Sequence, residues 1–212
     1  YKISQTQLVD NDLDGKMDEF LFQASLEAGE SKKYFIIKDA EITLPNRRTY
    51  SRYVPERKDD YMWENDLIGF RAYGPKLAKE GANSGFDCWL KGVEYPTTNN
   101  RYFTAQHGRT YHAYYGEGYD PYHVGSSAGC GGLSLWEDGR RVHSSVYDEY
   151  KRIANGPIRS IFELTYDDSW KKNGKNMKEI KRFTIDLNSW FTKIESFFSG
   201  EDAGSQQFAV GI

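Results

Sequence analysis

The chain has 212 residues, a length that fits one large β domain. Its 28 basic and 31 acidic residues give a formal net charge of −3, so no global basic face is present and nucleic acid is excluded as an expected partner. Aromatic residues make up 16% of the chain, which excludes overall disorder and favours carbohydrate as a partner, because Trp and Tyr rings stack on sugar rings.

Two further features concern the environment of the chain. No apolar run is long enough to span a bilayer. The chain begins at Tyr1 rather than at a methionine, so we expect a processed or partial chain and draw nothing from the missing signal peptide. The two cysteines, Cys88 and Cys130, are compatible with one disulfide in an oxidising compartment or with two buried thiols in a reducing one.

The first candidate site is an acidic loop at residues 10–18, which follow the pattern D-x-D-x-D-G-x-x-D. Short carboxylates on alternate residues can converge on one hard cation, and the glycine permits a sharp turn. An EF-hand would have a glutamate in place of Leu21, and the segment that follows alternates like a strand. The sequence therefore predicts a structural calcium site between two strands, with an acidic turn that binds no ion as the alternative. The predicted ligands are the side chains of Asp10, Asp12, Asp14 and Asp18 and the carbonyl of Lys16.

Residues 50–75 form a dense segment of charged and aromatic residues. The charged run at residues 56–60 is typical of a solvated surface. Trp63 and Glu64 follow, and an exposed Trp flanked by carboxylates is typical of a surface that binds sugar. The next residues alternate as a strand, which places Arg71 on the face opposite Phe70.

The remainder of the chain predicts further strands joined by turns. Residues 86–95 predict a strand with Trp89 and Lys91 on one face, and an Asp-Gly turn joins two strands within residues 131–145. Three more alternating strands follow residue 156, a loop is expected around Pro45, and helical periodicity is almost absent apart from residues 76–80. The sequence therefore predicts an all-β, antiparallel β-sandwich in a single domain over residues 1–212, with no helix longer than about three turns.

The densest set of chemically active residues lies at 107–132. This segment contains three of the four histidines, five tyrosines, the acidic residues Glu117 and Asp120, and many glycines. Its aliphatic content is too low for an ordinary core strand, and His, Tyr and Glu are residue types that transfer protons. We therefore expect a functional site here, with a Tyr- and Gly-rich surface loop as the alternative. A transition-metal site formed by His112, His123 and Glu117 is a further alternative.

Five segments, in this order, resemble a bacterial domain-of-unknown-function family encoded in polysaccharide-utilisation loci. They are VDNDLDGKMDEFLFQ, YVPERKDDYMWENDLIGFRAYGP, SGFDCWLKGVEYP, YHAYYGEGYDPYHVGSSAGCGGLSLW and NGPIRSIFELTYD. The resemblance covers nearly the whole chain. At least one branch of that family is a dehydratase that acts on oligosaccharides of ulvan, a green-algal polysaccharide of uronic acid and sulfated rhamnose.

The resemblance implies a fold, a location and a reaction. The fold is a galactose-mutarotase-like β-supersandwich, the location is periplasmic or secreted, and no organic cofactor is expected. Family domains are expected to continue beyond residue 212, so that part of the second half and some site residues would be missing. The reaction is that of a carbon–oxygen lyase, which removes water from the non-reducing terminal uronate of an ulvan-like oligosaccharide and leaves a 4,5-unsaturated uronate.

Such an elimination assigns roles to the residues singled out above. Removal of the C5 proton requires the neighbouring carboxylate to be neutralised, and Arg71 and Lys91 are the candidates for that contact. His112 is the candidate base, and Tyr111 or Tyr115 the acid that protonates the leaving hydroxyl. If residues 110–115 are extended, Tyr111 and His112 point to opposite faces and only a bulge lets both serve one site. The expected substrate contacts are Trp63, Glu64, Lys91, Glu117 and Asp120, of which the last two could instead orient His112.

Two other functions remain open from the sequence. A non-catalytic carbohydrate-binding β-sandwich would use Trp63 and the tyrosines as a stacking platform and would need no proton-transfer group. A glycoside hydrolase would need two carboxylates that face each other across the scissile bond, and Glu64 with Glu117 could be that pair.

Overall fold

The computed structural model describes residues 4–37 and 46–211, which form fourteen β-strands and two short α-helices. The loop predicted around Pro45 lies outside these residues. The strands, in chain order, are β1 (Thr6–Val9), β2 (Glu19–Phe22), β3 (Tyr50–Val54), β4 (Asp60–Glu64), β5 (Ile68–Ala72), β6 (Phe86–Lys91), β7 (Gly118–Tyr119), β8 (Gly132–Glu137), β9 (Arg140–Val142), β10 (Glu149–Asn155), β11 (Arg159–Tyr166), β12 (Met177–Asp186), β13 (Thr192–Gly200) and β14 (Phe208–Gly211). The helices are α1 (Thr98–Gln106) and α2 (Asp168–Lys172), and short 3-10 helices cover Pro55–Arg57, Pro75–Glu80 and Ala203–Ser205.

The strands form four sheets, and every pair of neighbouring strands is antiparallel. The largest sheet has the order β3-β4-β5-β6-β7, and the second has the order β10-β11-β12-β13. The two smaller sheets are β14-β8-β9 and the hairpin β1-β2. Within the described ranges, no helix is long and apolar enough to cross a membrane.

The two larger sheets pack face to face around an aromatic core. The Trp63 ring of β4 lies 5.2 Å from Phe162 of β11 and 5.1 Å from Phe183 of β12, measured between ring centroids. Phe86 of β6 meets Phe183 edge to face at 5.2 Å. Aromatic pairs in such geometries add about 0.5–1.5 kcal/mol each beyond the burial of their area. The predicted all-β, antiparallel sandwich is confirmed.

The alternation of β12 shows how the sequence selects this packing. Along Met177–Asp186, buried residues alternate with half-buried ones, the pattern of a strand with one face on a core. Two of the buried residues are charged, and the Lys181 ammonium offsets its burial by pairing with Glu179 at 2.7 Å. The three C-terminal strands expected after residue 156 are confirmed as β11, β12 and β13.

The five-stranded sheet is covered on both faces, which is why every residue of β4 and β5 is buried. One face contributes to the core of the sandwich. The other carries a second apolar cluster, formed by Val54, Met62, Trp89 and Tyr102 with Tyr111 packed against it. Tyr102 belongs to α1 and Tyr111 to the segment after it. These two elements therefore cover the second face of the sheet, which we call the outer face.

Turns and helices agree with the sequence in part. The Asp-Gly turn between β8 and β9 is confirmed, with φ of 48° at Asp138 and 78° at Gly139, as a two-residue type I′ hairpin requires. Residues 76–80 are helical, within the 3-10 segment. Neither α-helix was predicted, but α1, with nine residues, stays within the expected limit of three turns.

Candidate functional site

A charged cluster lies at the centre of the outer face, where the buried guanidinium of Arg71 is surrounded by the carboxylates of Asp60, Asp87 and Asp120. Arg71 of β5 pairs through Nη2 with Asp87 of β6, and the same nitrogen lies 3.4 Å from Asp120 Oδ2. Its Nε lies 3.8 Å from Asp60 Oδ2 at the start of β4. Arg71 is 4% exposed, and all three aspartates are buried. The predicted role of Arg71 as the group that binds a substrate carboxylate is therefore corrected, because its fork already serves the protein's own carboxylates.

The three carboxylates outnumber the positive charges that compensate them. Burial raises the pKa of Asp60 to about 6, although Arg71 and Arg57 lower it. Burial, together with the charge of Asp87, raises the pKa of Asp120 to about 6, and Arg71 again opposes the shift. Both carboxyl groups therefore change protonation near pH 6 rather than in the ordinary range for aspartate.

The Tyr111 hydroxyl lies on this cluster and accepts hydrogen bonds from two arginines. Arg57 Nε and Arg71 Nη1 are each 3.3 Å from the phenol oxygen. The Tyr111 ring stacks on Trp89, with 4.8 Å between the centroids and 28° between the planes. This packing fixes the direction of the hydroxyl, since Trp89 is itself buried on the sheet.

Arg57 is the arginine of the cluster that a ligand can reach. It ends the 3-10 helix after β3, lies 3.6 Å from Asp60 Oδ2, and has 27% of its side chain exposed. The prediction of a solvated surface at residues 56–60 is wrong for this residue and for Asp60, because both contribute to the cluster.

His112 is held beside Tyr111 by Asp120. Its Nδ1 lies 3.1 Å from the Asp120 carbonyl oxygen and 3.3 Å from Asp120 Oδ2, while 58% of the side chain is exposed. Tyr111 and His112 occupy a turn rather than a strand, so they do not point to opposite faces, and their ring centroids are 4.6 Å apart. The Asp120 N–H donates to the Tyr111 carbonyl at 2.9 Å and closes the loop that presents both rings.

Glu64 and Lys91 form a buried structural pair, not a substrate-binding surface. Their charged groups are 2.6 Å apart, and each side chain is 1% exposed. The Glu64 carboxylate also accepts the backbone N–H groups of Thr97 and Thr98 at 2.8–2.9 Å, where α1 begins. Burial raises the pKa of Glu64, but the Lys91 ammonium and these donors outweigh burial and hold the pKa below its ordinary value. The predicted contacts of Glu64 and Lys91 with substrate are corrected, and the buried Glu64 cannot act with Glu117 as the carboxylate pair of a hydrolase.

Trp63 is likewise part of the core. It is 1% exposed, and its indole Nε1 donates to Thr192 Oγ1 at 2.9 Å across the two sheets. The expectation of an exposed Trp63 is wrong, because no face of the ring is free to stack on a sugar.

A cavity of about 200 Å³ opens beside the cluster, between α1 and residues 109–118. Tyr111, Tyr115 and Glu117 line it. The Tyr115 ring lies under the Arg109 guanidinium at 4.1 Å, and Glu117 accepts hydrogen bonds from Tyr95 and Asn100 at 2.9 and 2.7 Å. Tyr115 and Glu117 thus belong to the wall of the cavity. Tyr111 lines the cavity too, and it also contacts Arg71 and His112 of the charged cluster.

The acidic loop between β1 and β2 gathers three of its four aspartates. Asp10, Asp12 and Asp18 each bring a carboxylate oxygen to within 4.8 Å of the others. Asp14 is not in this group, because its carboxylate accepts the Lys16 backbone N–H at 2.8 Å and pairs with the Lys16 ammonium at 3.3 Å. In the part of the chain that the structure describes, this is the sole such group, so His112, His123 and Glu117 are not brought together as a metal site.

Comparison with known proteins identifies a family and a relative for this chain. The family described as "Domain of unknown function (DUF4861)" matches residues 2–212. The chain belongs to the DUF4861 family. A relative from Formosa agariphila, named "Uncharacterized protein P7", is 39% identical over 223 residues, which cover 99% of this chain and 55% of the relative. The chain therefore spans about half the length of that relative. No solved structure matches the chain.

Three residues of the charged cluster in this DUF4861 chain were missed by sequence reasoning: Arg57, Asp60 and Asp87. A signal existed for Asp87, because it has the same strand parity as Trp89, which was placed on the outer face. No local signal distinguished Arg57 and Asp60 from a solvated charge run, because their partners Tyr111 and Arg71 lie in other parts of the chain.

Proposed function

We propose that this site removes water from the non-reducing terminal uronate of an oligosaccharide, as a carbon–oxygen lyase. The observation that carries the proposal is the Tyr111 hydroxyl, held by two guanidinium groups beside an exposed histidine that Asp120 orients. The resemblance to ulvan-oligosaccharide dehydratases supplies the substrate class and a periplasmic or secreted location.

His112 is the proposed base. An Nδ1–H that donates to Asp120 leaves the Nε2 lone pair free, on a ring of which 58% is exposed. The Asp120 carboxylate then stabilises the imidazolium that forms when Nε2 takes the C5 proton.

Tyr111 is the proposed acid. Its proton passes to the C4 oxygen as the C4–O bond breaks, so that the hydroxyl leaves as water. The two guanidinium groups at the phenol oxygen stabilise the negative charge that remains on it.

Arg57 is proposed to bind the substrate carboxylate in place of Arg71. It is half-buried next to Tyr111, and its exposed fraction lets the guanidinium donate a charged hydrogen bond to a carboxylate. Neutralising that carboxylate stabilises the enolate-like charge that develops when C5 loses its proton.

These roles balance the reaction. The C5–H bond breaks to His112, its electron pair forms the C4–C5 double bond, and the C4–O bond breaks to release water. His112 ends protonated and Tyr111 deprotonated, and proton exchange with solvent water restores both. Tyr115 and Glu117, in the wall of the cavity, are the residues proposed to contact the rest of the sugar.

The acidic loop is proposed to hold a structural calcium ion. Three carboxylate oxygens within 4.8 Å of one another repel unless a cation lies between them, and calcium prefers such oxygen ligands. The loop is attached to β12 through Arg182, which donates to the carbonyl and the side chain of Asn11 at 3.0 and 3.1 Å. An ion here would hold the first hairpin on the sheet and take no part in the elimination.

The function is tested by incubating full-length protein with uronate-terminated oligosaccharides. Elimination creates a conjugated uronate that absorbs in the near ultraviolet and lowers the product mass by one water without shortening the chain. Hydrolysis would shorten the chain, and a binding module would leave the oligosaccharide unchanged. Either result would contradict the proposal.

His112→Ala should lower turnover by a factor of about 10²–10⁴, the usual contribution of a positioned acid–base group. The matched control is His107→Ala, because His107 is exposed after α1 and bonds only locally, to the Phe103 carbonyl at 2.7 Å. The control should retain turnover, and equal losses in the two variants would assign the base elsewhere.

A further inference from the structure

Cys88 and Cys130 meet on the core side of the five-stranded sheet. Both are free thiols here, both are half-buried, and both pack against the aromatic core. The two thiol groups interact with each other.

The backbone holds this contact in place. Phe86 and Gly129 form a parallel bridge, and the Cys130 N–H donates to the Phe86 carbonyl at 2.8 Å. Gly129 has φ of 63°, and a Cβ on it would overlap the backbone of Phe86. The close approach of the segment to β6 therefore depends on a glycine, and it places the two cysteines side by side.

The contact between the two thiols moves their pKa values in opposite directions. The interaction with Cys88 lowers the pKa of Cys130 below its ordinary value, burial opposes this shift, and an interaction with Tyr122 adds to it. The same contact raises the pKa of Cys88. Since the thiolate is the nucleophile in thiol–disulfide exchange, this direction favours Cys130 as the attacking thiol.

We infer that Cys88 and Cys130 are a disulfide-forming pair that closes when the protein meets an oxidising thiol–disulfide couple. The oxidant is the disulfide of glutathione or of a thiol–disulfide oxidoreductase. The Cys130 thiolate attacks it, one sulfur leaves as a thiolate, and a mixed disulfide remains on Cys130. Cys88 then loses its proton and attacks the Cys130 sulfur, which forms the intramolecular bond and releases the second thiol. The two cysteines lose two protons and two electrons, and the oxidant is reduced to two thiols.

The bond would link two segments that each contribute an aspartate to the charged cluster around Arg71. Cys88 follows Asp87 on β6, and Cys130 ends the segment that begins at Asp120. Closing the bond fixes that segment to the strand, and with it the aspartate that holds His112.

The test exposes the full chain to a mixture of reduced and oxidised glutathione with the redox balance of an oxidising compartment, and follows thiol titration and intact mass. We expect both thiols to be lost, the mass to fall by two hydrogen atoms, and a proteolytic map to contain linked Cys88 and Cys130 peptides. Two titratable thiols, or glutathione adducts without the linked peptides, would overturn the inference.

Single variants test the order of attack. In Cys88→Ser, glutathione should accumulate on Cys130, whereas in Cys130→Ser the adduct on Cys88 should form far more slowly at the same pH. The reverse order would overturn the assignment of Cys130 as the attacking thiol. The oxidised wild type should also unfold about 5–10 °C above its reduced form, because the bond closes a long loop, and the double serine variant should show no such difference. An unchanged unfolding temperature on oxidation would contradict the claim that the bond fixes the segment.

Discussion

At the scale of single residues, Arg71 and Arg57 differ in role: one neutralises buried carboxylates and the other is proposed to bind substrate. The sequence alone does not show which arginine does which. Both donate to the Tyr111 hydroxyl at 3.3 Å, but only Arg57 has a substantial exposed fraction. Arg71 neutralises buried aspartates from three parts of the chain, so it maintains the fold. Arg57 is partly exposed, so it is the arginine that we propose binds substrate.

Substitution of each arginine should separate these tasks. Arg71→Met leaves three buried carboxylates without their main partner and should lower the free energy of unfolding by about 3–5 kcal/mol, measured by urea denaturation. Arg57→Lys should leave stability within about 1 kcal/mol and lower kcat/KM about 10- to 100-fold, the loss of one or two charged hydrogen bonds. Equal effects of the two variants on stability would contradict the division.

The raised pKa of Asp60 makes stability depend on pH in a defined direction. The unfolded carboxyl ionises near 3.8 and the folded one near 6, so its contribution is fully present below 3.8 and is lost as pH rises to about 6. Relative to Asp60→Asn, the wild type should lose on the order of 2–3 kcal/mol of unfolding free energy between pH 4 and pH 7. Denaturant titrations of both proteins across this range measure the difference, and a difference that does not change with pH would refute the shift.

For single residues, the sequence predicted which side chains lie together better than it predicted which side chains are exposed to solvent. The grouping of Tyr111 and His112 with Asp120 was expected from the residue types at 107–132. Trp63 was misplaced because its charged neighbours suggested a surface, whereas β4 is covered on both faces. The exposure of a side chain on β4 depends on which elements cover each face of the sheet. These elements lie more than 30 residues further along the chain, where local patterns around Trp63 do not reach.

At the scale of elements, α1 depends on Glu64. The helix sequence TNNRYFTAQ has no apolar stripe, so no periodicity predicted it. Its first N–H groups are instead satisfied by a carboxylate from β4, a long-range contact that local patterns do not encode.

Removal of that carboxylate's charge should therefore destabilise α1 and the cavity wall it supports. Glu64→Gln leaves Lys91 buried without its counter-charge and should lower the free energy of unfolding by about 3 kcal/mol or more. Glu117→Gln is the matched control, because Glu117 pairs only with neutral groups at the surface, and it should cost no more than about 1 kcal/mol. Hydrogen exchange of the α1 amides should increase in the first variant alone, and protected α1 amides in Glu64→Gln would contradict this role.

The first hairpin should respond to calcium if its loop binds the ion. Free calcium at about 100-fold above the dissociation constant should add about 2.7 kcal/mol to stability, and chelator should reverse the gain. Asp12→Asn should abolish the response, whereas Asp14→Asn should retain it, because Asp14 lies outside the three converging carboxylates. Thermal unfolding that is indifferent to both calcium and chelator would show that the loop is only a turn.

At the scale of the whole molecule, the two faces of the five-stranded sheet carry different kinds of residue. One face of the five-stranded sheet meets the four-stranded sheet in an aromatic core, and the opposite face carries charges beneath α1 and the 107–120 loop. The all-β class was predictable because alternation is strong in strands such as β5 and β12. The site was predictable only in part, because antiparallel pairing brings together residues from β4, β5 and β6 whose register no local pattern specifies.

The central claim is that Arg57, Tyr111 and His112 surround one uronate. The most direct test is a crystal structure of the His112→Ala variant with a uronate-terminated oligosaccharide that it cannot turn over. We expect the terminal carboxylate within about 3 Å of the Arg57 guanidinium, the C4 hydroxyl next to the Tyr111 hydroxyl, and C5 facing the space left by the imidazole. An oligosaccharide bound elsewhere, or one whose carboxylate points away from Arg57, would contradict the account.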